Sequence, residues 1–494
     1  MSEREPAYDT IPVVEQNEPV LPLYEQRINS LEGLPQTQLA PENLTKHRMP
    51  NIFTARHVPE VWKQHEDGIP MHAVSGKADV GGVGGHVEVA DEVKAAGLDF
   101  ILRHNRDRKG RKIFRSIVPT HTGDDVAYTG IVEERVMENP EVVEELLWET
   151  FMVGSEVARK LGLYGPGQDL KADAYTGNIH GMGPAFIDLP LPIRSKAELA
   201  TNASQSVLVA FGDKTEPAVM NWMTNFAYRT AHDNTGLTIA ESRMKNGYQF
   251  SIVDVNTKQQ AIEKGIPAND DDAINKAMKE LGKGESVAEL SDSIPSERKL
   301  LDLVMTGTTR YVIDRVWSQN EDGARHSLGV VVSAERLHNI ETSKGFVYGG
   351  KDDPNMLALC QGDWPAPGEI TSKLRITPLV NGDCRGSHRG PLYPAPINSQ
   401  THFWSGPIIS VMVMSVNLET GRIGDISDQL GYGTMWDKFR ADASDRFDWI
   451  RAHGYMEPAV LAPDELEYQP QVKQLQKELA LKFRVRLPRE STAA

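Results

Sequence analysis

The stretch MHAVSGKADVGGVGGH, residues 71–86, sets the pattern for the whole chain. Residues 71–76 read as a short strand, and the run then breaks into a glycine-rich turn that carries Asp79 and ends on His86. A strand that ends in such a turn can bring backbone and a carboxylate close to a ligand. The same pattern returns at SVLVAF (206–211), which runs into Gly212, Asp213 and Lys214. Other β-branched or aromatic runs predict strands at 112–118, 248–255, 310–317, 329–333, 373–380 and 409–418. Helices are expected between them. The clearest has Asn139 as N-cap and Pro140 at the first position, with Val143, Leu146, Leu147, Phe151 and Val157 on one face and a stop near Gly162.

Composition narrows the function classes. The chain has 494 residues, 39% hydrophobic and 25% charged, which is globular composition at a length that supports a large core. Its formal charge of −16 argues against a general binder of nucleic acid or of anionic membranes. The only cysteines are Cys360 and Cys384, too few for a disulfide framework or a Cys-rich metal site. No apolar run has the length of a membrane helix, and the acidic start lacks the features of a secretory or transit peptide. The expectation is a cytoplasmic protein.

Residues 1–68 read as an N-terminal extension, because Pro6, Pro12, Pro19, Pro22, Pro35 and Pro41 interrupt every candidate helix. The catalytic region is expected over 69–482, with a mostly helical insertion at about 256–305 and a tail at 483–494. Within the insertion, DDDAINKAMKELGKG has acids at its start and apolar residues at helical spacing.

The chemistry concentrates in carboxylates just beyond strands. Asp79, Asp124, Asp125, Asp213, Asp352 and Asp353 all lie in glycine-rich turns, a pattern suited to hard cations with oxygen ligands. Adjacent aspartates such as Asp124–Asp125 and Asp352–Asp353 can serve two ions. The run GGVGGH lacks the third glycine of a dinucleotide fingerprint, and no GK[ST] completes a phosphate loop. In YGGKDDP, Lys351 stands beside two acids that would hold it protonated unless cations neutralise them; Tyr348 is near enough to move a proton. Arg385 and His388 in RGSH form a candidate anion clamp, Gly177 and Asn178 offer backbone NH groups for a phosphate, and LYGPGQD supplies Tyr164 and Gln168.

Taken together, KADVGG…GH, THTGDD, LYGPGQD, TGN…GMGP, DKTEP, YGGKDDP, QGD, RGSH and the late LEY resemble the bifunctional fructose-1,6-bisphosphate aldolase/phosphatase family, in family order from about residue 70 to 482. The resemblance implies an α+β fold, a four-layer α-β-β-α sandwich in a single large catalytic domain, assembled as a homo-octamer. It implies Mg²⁺, several ions per site, and sugar and triose phosphates as substrates. Dihydroxyacetone phosphate and glyceraldehyde 3-phosphate would condense to the bisphosphate, whose 1-phosphate is then removed. Carried over position by position, Asp79, Tyr348 and Lys351 are catalytic, with Lys351 forming the Schiff base. Asp79, His86, Asp124, Asp125, Gln168, Asp213, Asp352 and Asp353 fall on the metal ligands. His86, Tyr164, Gly177, Asn178, Lys214, Gln361, Gly362, Arg385 and Tyr468 fall on the substrate-binding positions.

The chain departs from the family in two respects. Ser405, in FWSGP, stands near the place of an expected aspartate, and the 1–68 extension precedes the segment that normally begins the protein. A metal-dependent sugar-bisphosphate phosphatase without effective aldolase activity is the alternative; the presence of both Lys351 and Tyr348 speaks for the bifunctional reading. A purely structural cation-binding protein would leave Lys351, Lys214 and Arg385 unexplained.

Overall fold

The structure is a computed structural model that describes residues 14–15, 52–53, 69–167, 185–215, 218–234, 248–254, 287–291, 311–319, 325–332, 354–362, 364–380, 390–400 and 406–453. The fold is α+β and is organised around two largely antiparallel sheets. The strands are β1 (Met71–Asp79), β2 (Phe114–Thr122), β3 (Asp125–Glu133), β4 (Ala185–Pro190), β5 (Ser204–Asp213), β6 (Tyr248–Asp254), β7 (Val287–Ser291), β8 (Tyr311–Gln319), β9 (Arg325–Val332), β10 (Asn355–Cys360), β11 (Tyr393–Ala395), β12 (Ile408–Asn417) and β13 (Ile423–Asp428). The main helices are α1 (Asp91–His104), α2 (Glu141–Lys160), α3 (Val219–Asn234) and α4 (Trp436–His453).

The first sheet runs β2–β3–β1–β4, and the N-terminal segment pairs with both of its edges. Val14–Glu15 lies antiparallel to β2, and Ile52–Phe53 lies parallel to β4. The second sheet runs β11–β12–β5–β10–β9–β8–β6–β7, with β13 on the flank of β12. The sheets meet where β4 touches β9 and β10, β1 touches β10, and β2 touches β5 and β12.

The period-two alternation of β1 divides its environment. Met71 and Ala73 belong to the core shared with the second sheet, whereas Val74 and Ala78 pack with α1 and α2. Under those helices, Val93, Leu146, Leu147, Phe151, Val126 and Tyr128 form a closed apolar layer, each large side chain stabilising by roughly 1.5–3 kcal/mol. Gly97 makes the close approach possible, since a Cβ there would lie 1.8 Å from the Tyr128 hydroxyl.

The predicted helix after Asn139 starts two residues on, at Glu141, with Pro140 as its cap, and buries Val143, Leu146, Leu147, Phe151 and Val157. It stops at Gly162, whose φ of 70° is left-handed. Two expectations need correction. Most of the run 373–380 is not a strand: Thr371–Ile376 is a 3₁₀ helix that continues the short helix Pro367–Ile370, and only Leu379–Val380 pairs, with Gly390–Pro391. Burial of Ile370 and Leu374 in the core on the α3 side outweighs the β-branched propensity. Inside the region expected to be mostly helical, Val287–Ser291 is a strand paired with β6; the stretch DDDAINKAMKELGKG lies outside the described residues. The strands β3, β4, β10, β11 and β13 and the helices α1, α3 and α4 are not anticipated by the sequence pattern. Among the described residues no helix is long and apolar enough to cross a membrane.

Candidate metal and phosphate site

Register brings the carboxylates together. Asp79 closes β1 and Asp125 opens β3 directly opposite it. Asp124 precedes Asp125 in the tight β2–β3 turn. Asp213 closes β5 in the other sheet. Asn355 donates to Ser75 Oγ across the gap at 2.9 Å, so that face of β10 looks toward the first sheet. Phe211 sits opposite Asn355, and Asp213 follows two residues later on the same face. Four carboxylates from three separate segments thus converge at one end of the space between the sheets, and all four are buried.

The glycine turn folds over this cluster. Gly81 NH donates to Asp79 Oδ1 at 3.0 Å. Gly82 exchanges two backbone hydrogen bonds with Tyr164, and a Cβ on Gly82 would lie 2.4 Å from the Gly85 carbonyl oxygen. The turn therefore depends on glycine at that position, as its composition suggested. It delivers His86, whose Nδ1 lies 2.8 Å from Asp124 Oδ2 and 3.6 Å from Asp79 Oδ2. The Tyr164 ring stands edge-on to the imidazole, with 4.8 Å between centroids.

Two lysines serve the same cluster from opposite directions. Lys214 Nζ bridges Asp124 Oδ1 at 2.7 Å and Asp213 Oδ1 at 3.0 Å. Its backbone lies in the left-handed region, φ 57°, which is uncommon for a residue other than glycine and is often associated with functional sites. Lys77, fully buried in β1, is ion-paired with Asp125 and donates to the Gly212 carbonyl oxygen at 2.8 Å.

The electrostatics follow from burial among like charges. Burial alone would lower the His86 imidazolium, but its hydrogen bonds to Asp124 and Asp79 win and push it up to about 11. Burial would raise Asp124, yet Lys214 and His86 hold its carboxyl well below the usual range. Asp213 is driven well above that range by burial and by Asp125 and Asp124, against the opposing pull of Lys214 and Lys77. Such a cluster demands positive charge.

Two groups of ligand atoms are spaced to hold cations, Asp79–His86–Asp124 and Asp124–Asp125–Asp213, each with its atoms within 4.8 Å of one another. They share Asp124, so its carboxylate could bridge two ions. Asp213 Oδ2 is buried and without a hydrogen-bond partner among the described residues. The oxygen-rich donor set fits a hard divalent ion.

Of the residues singled out in the sequence, Asp79, His86, Asp124, Asp125, Asp213, Lys214 and Tyr164 lie together here. Gln361 and Gly362 do not lie beside Asp213 of the same chain. Asn355 pairs with Phe211 and Cys360 with Ser206, so the two residues leave the far end of β10, about 26 Å from the level of Asp213 along the strand direction. Gln168, Gly177, Asn178, Tyr348, Lys351, Asp352, Asp353, Arg385, His388, Ser405 and Tyr468 lie outside the described residues. Lys77 was missed; its signal was a charge at an inward position of the opening strand.

A family of fructose-1,6-bisphosphatases has a sequence model that matches residues 73–280 and 285–484. The chain belongs to this family. The matched span takes in every carboxylate of the cluster. Among curated relatives, the fructose-1,6-bisphosphate aldolase/phosphatase of Ignicoccus hospitalis is 32% identical over 394 residues, covering 79% of this chain and 87% of the relative. The protein of that name from Thermus thermophilus is 30% identical, covering 79% and 94%, and that from Methanothermobacter marburgensis is 31% identical, covering 79% and 93%.

Proposed function

We propose that the chain is a bifunctional enzyme that condenses dihydroxyacetone phosphate with glyceraldehyde 3-phosphate and then hydrolyses the 1-phosphate of the resulting fructose 1,6-bisphosphate to give fructose 6-phosphate. The observation that carries this reading is the convergence of Asp79, Asp124, Asp125 and Asp213 with His86 and Lys214. Family membership supplies the substrate class.

The residues that would hold Mg²⁺ are Asp79, His86, Asp124, Asp125 and Asp213, joined by Gln168, Asp352 and Asp353. Bound there, the ions supply Lewis-acid polarisation and charge neutralisation at the phosphate. Lys214 has the length and charge to bind a phosphate oxygen, and Tyr164 covers the His86 ring at the edge of the site. Gly177, Asn178 and Arg385 complete the phosphate contacts, and Tyr468 is a further substrate contact; Gln361 and Gly362, at the far end of β10, would reach a site only from a neighbouring copy of the chain. In hydrolysis, Asp79 accepts a proton from the attacking water. In condensation, the Lys351 amine attacks the ketone carbonyl and water is lost, giving a protonated imine that stabilises the carbanion at the neighbouring carbon; Tyr348 moves the proton.

The reading extends to architecture: residues 69–482 as a four-layer α-β-β-α catalytic domain, residues 1–68 as an extension, and assembly as a cytoplasmic homo-octamer. Borohydride reduction with dihydroxyacetone phosphate tests the condensation half. An adduct on Lys351, located by peptide mass, is expected. No adduct in Mg²⁺-containing buffer, with phosphate release intact, would leave a phosphatase alone.

A further inference from the structure

Lys77 has no part in the chemistry described above, yet its place in the fold is unusual. It lies two residues before the end of a strand, fully buried, on the face of β1 between the two sheets. Lysine is almost never buried in this way without a partner, because desolvation of the ammonium is costly. Its Nζ contacts both sheets: an ion pair to Asp125 at the start of β3 and a hydrogen bond at 2.8 Å to the carbonyl oxygen of Gly212, the residue before Asp213. One side chain therefore ties the carboxylate of one cluster member to the backbone that presents another.

We propose that Lys77 is a positioning residue that sets the divalent-cation affinity of the Asp124–Asp125–Asp213 cluster, a role that rests on reading that cluster as a metal site. The ion pair supports it: Lys77 orients Asp125, which offers one of the three ligand atoms of this group. Lys214 also pairs with this cluster, but from the loop beyond β5, where it can turn to a phosphate; Lys77 is held within a strand. A buried ion pair of this kind serves orientation more than stability, and partners that orient metal ligands characteristically govern affinity. Lys77 also stands in a polar seam: on the same face of β1, Ser75 Oγ is 3.0 Å from Thr129 Oγ1 and accepts from Asn355 of the second sheet. The spacing of the sheets at the site is thus fixed by hydrogen bonds as well as by apolar packing.

The test is a Mn²⁺ titration of the full chain followed by electron paramagnetic resonance, on wild type, Lys77→Met, Asp125→Asn and the double variant, with folding checked by circular dichroism. Lys77→Met is expected to weaken Mn²⁺ binding by about 10- to 100-fold. Asp125→Asn should weaken binding in the wild type but add little to Lys77→Met, because the two residues act as a unit. Additive losses, or unchanged affinity in a folded Lys77→Met protein, would overturn the proposal. Should Lys77→Met not fold, Lys77→Gln, which keeps a donor toward Gly212, supplies the same cycle. Wild type that binds no Mn²⁺ would overturn instead the reading of the cluster as a metal site, and with it the role of Lys77.

Discussion

The two faces of β1 divide function from stability. The odd positions toward its end, Ser75, Lys77 and Asp79, look into the gap between the sheets, where hydrogen bonds and ion pairs lead to the carboxylate cluster. The even positions Val74 and Ala78 lie under α1 and α2 in an apolar layer. A period of two residues thus keeps groups that must stay charged apart from groups that must stay dry. The lesson is that a site can be buried and highly charged when one face of a strand supplies the charges and their partners, and the other anchors the strand.

The largest effect is expected on the charged face. Asp213→Asn removes a cluster ligand without changing shape, and phosphate release from fructose 1,6-bisphosphate should fall by about 10²- to 10³-fold or more, while the melting temperature holds or rises because a buried like charge is relieved. Retained activity would break the division. Leu147→Ala on the opposite face should do the reverse. It leaves a hole above Gly76 and should cost about 2–5 kcal/mol in denaturant unfolding, with kcat of the folded enzyme little changed. A collapse of kcat at full stability would show that the helix layer takes part in the chemistry.

A smaller effect sharpens the contrast through two histidines. His86 on the site side is pushed up by carboxylates. His121 on the helix side of β2 is pushed down to about 3 by burial and by Lys94, whose Nζ lies 3.0 Å from its Nδ1, despite a hydrogen bond with Asn398; Glu88 stands 4.0 Å from its Nε2. Between pH 6.5 and 3 the unfolded chain takes up a proton at this residue and the folded one does not. Stability should therefore fall as pH drops through that window, by at most about 1.4 kcal/mol per pH unit from this group. His121→Gln should flatten that part of the unfolding profile; an unchanged slope would remove the assignment.

The carboxylate cluster was readable from the chain because its members follow one local rule. Asp79, Asp124, Asp125 and Asp213 each stand at a strand end, next to glycine or in a glycine-containing turn, and local rules survive folding. Lys77 was hidden because its meaning depends on register: only the pairing of β1 with β3 and the approach of β5 place it between Asp125 and Gly212. The run 373–380 was misread for a related reason. Its β-branched residues fit a strand, but Pro367 at a helix start and the burial of Leu374 in the core on the α3 side settle it as a 3₁₀ turn. Pairing of Val287–Ser291 with β6 is likewise a tertiary choice that helix-like surroundings did not announce.

Whether the carboxylates between the sheets hold divalent cations needed for phosphate release can be read by stripping the enzyme with EDTA, removing the chelator and following inorganic phosphate from fructose 1,6-bisphosphate as Mg²⁺ is restored. Release should be absent from the stripped enzyme and return in a saturable fashion with Mg²⁺ in wild type, but not in Asp213→Asn over the same range. Release that persists undiminished in EDTA would contradict that requirement.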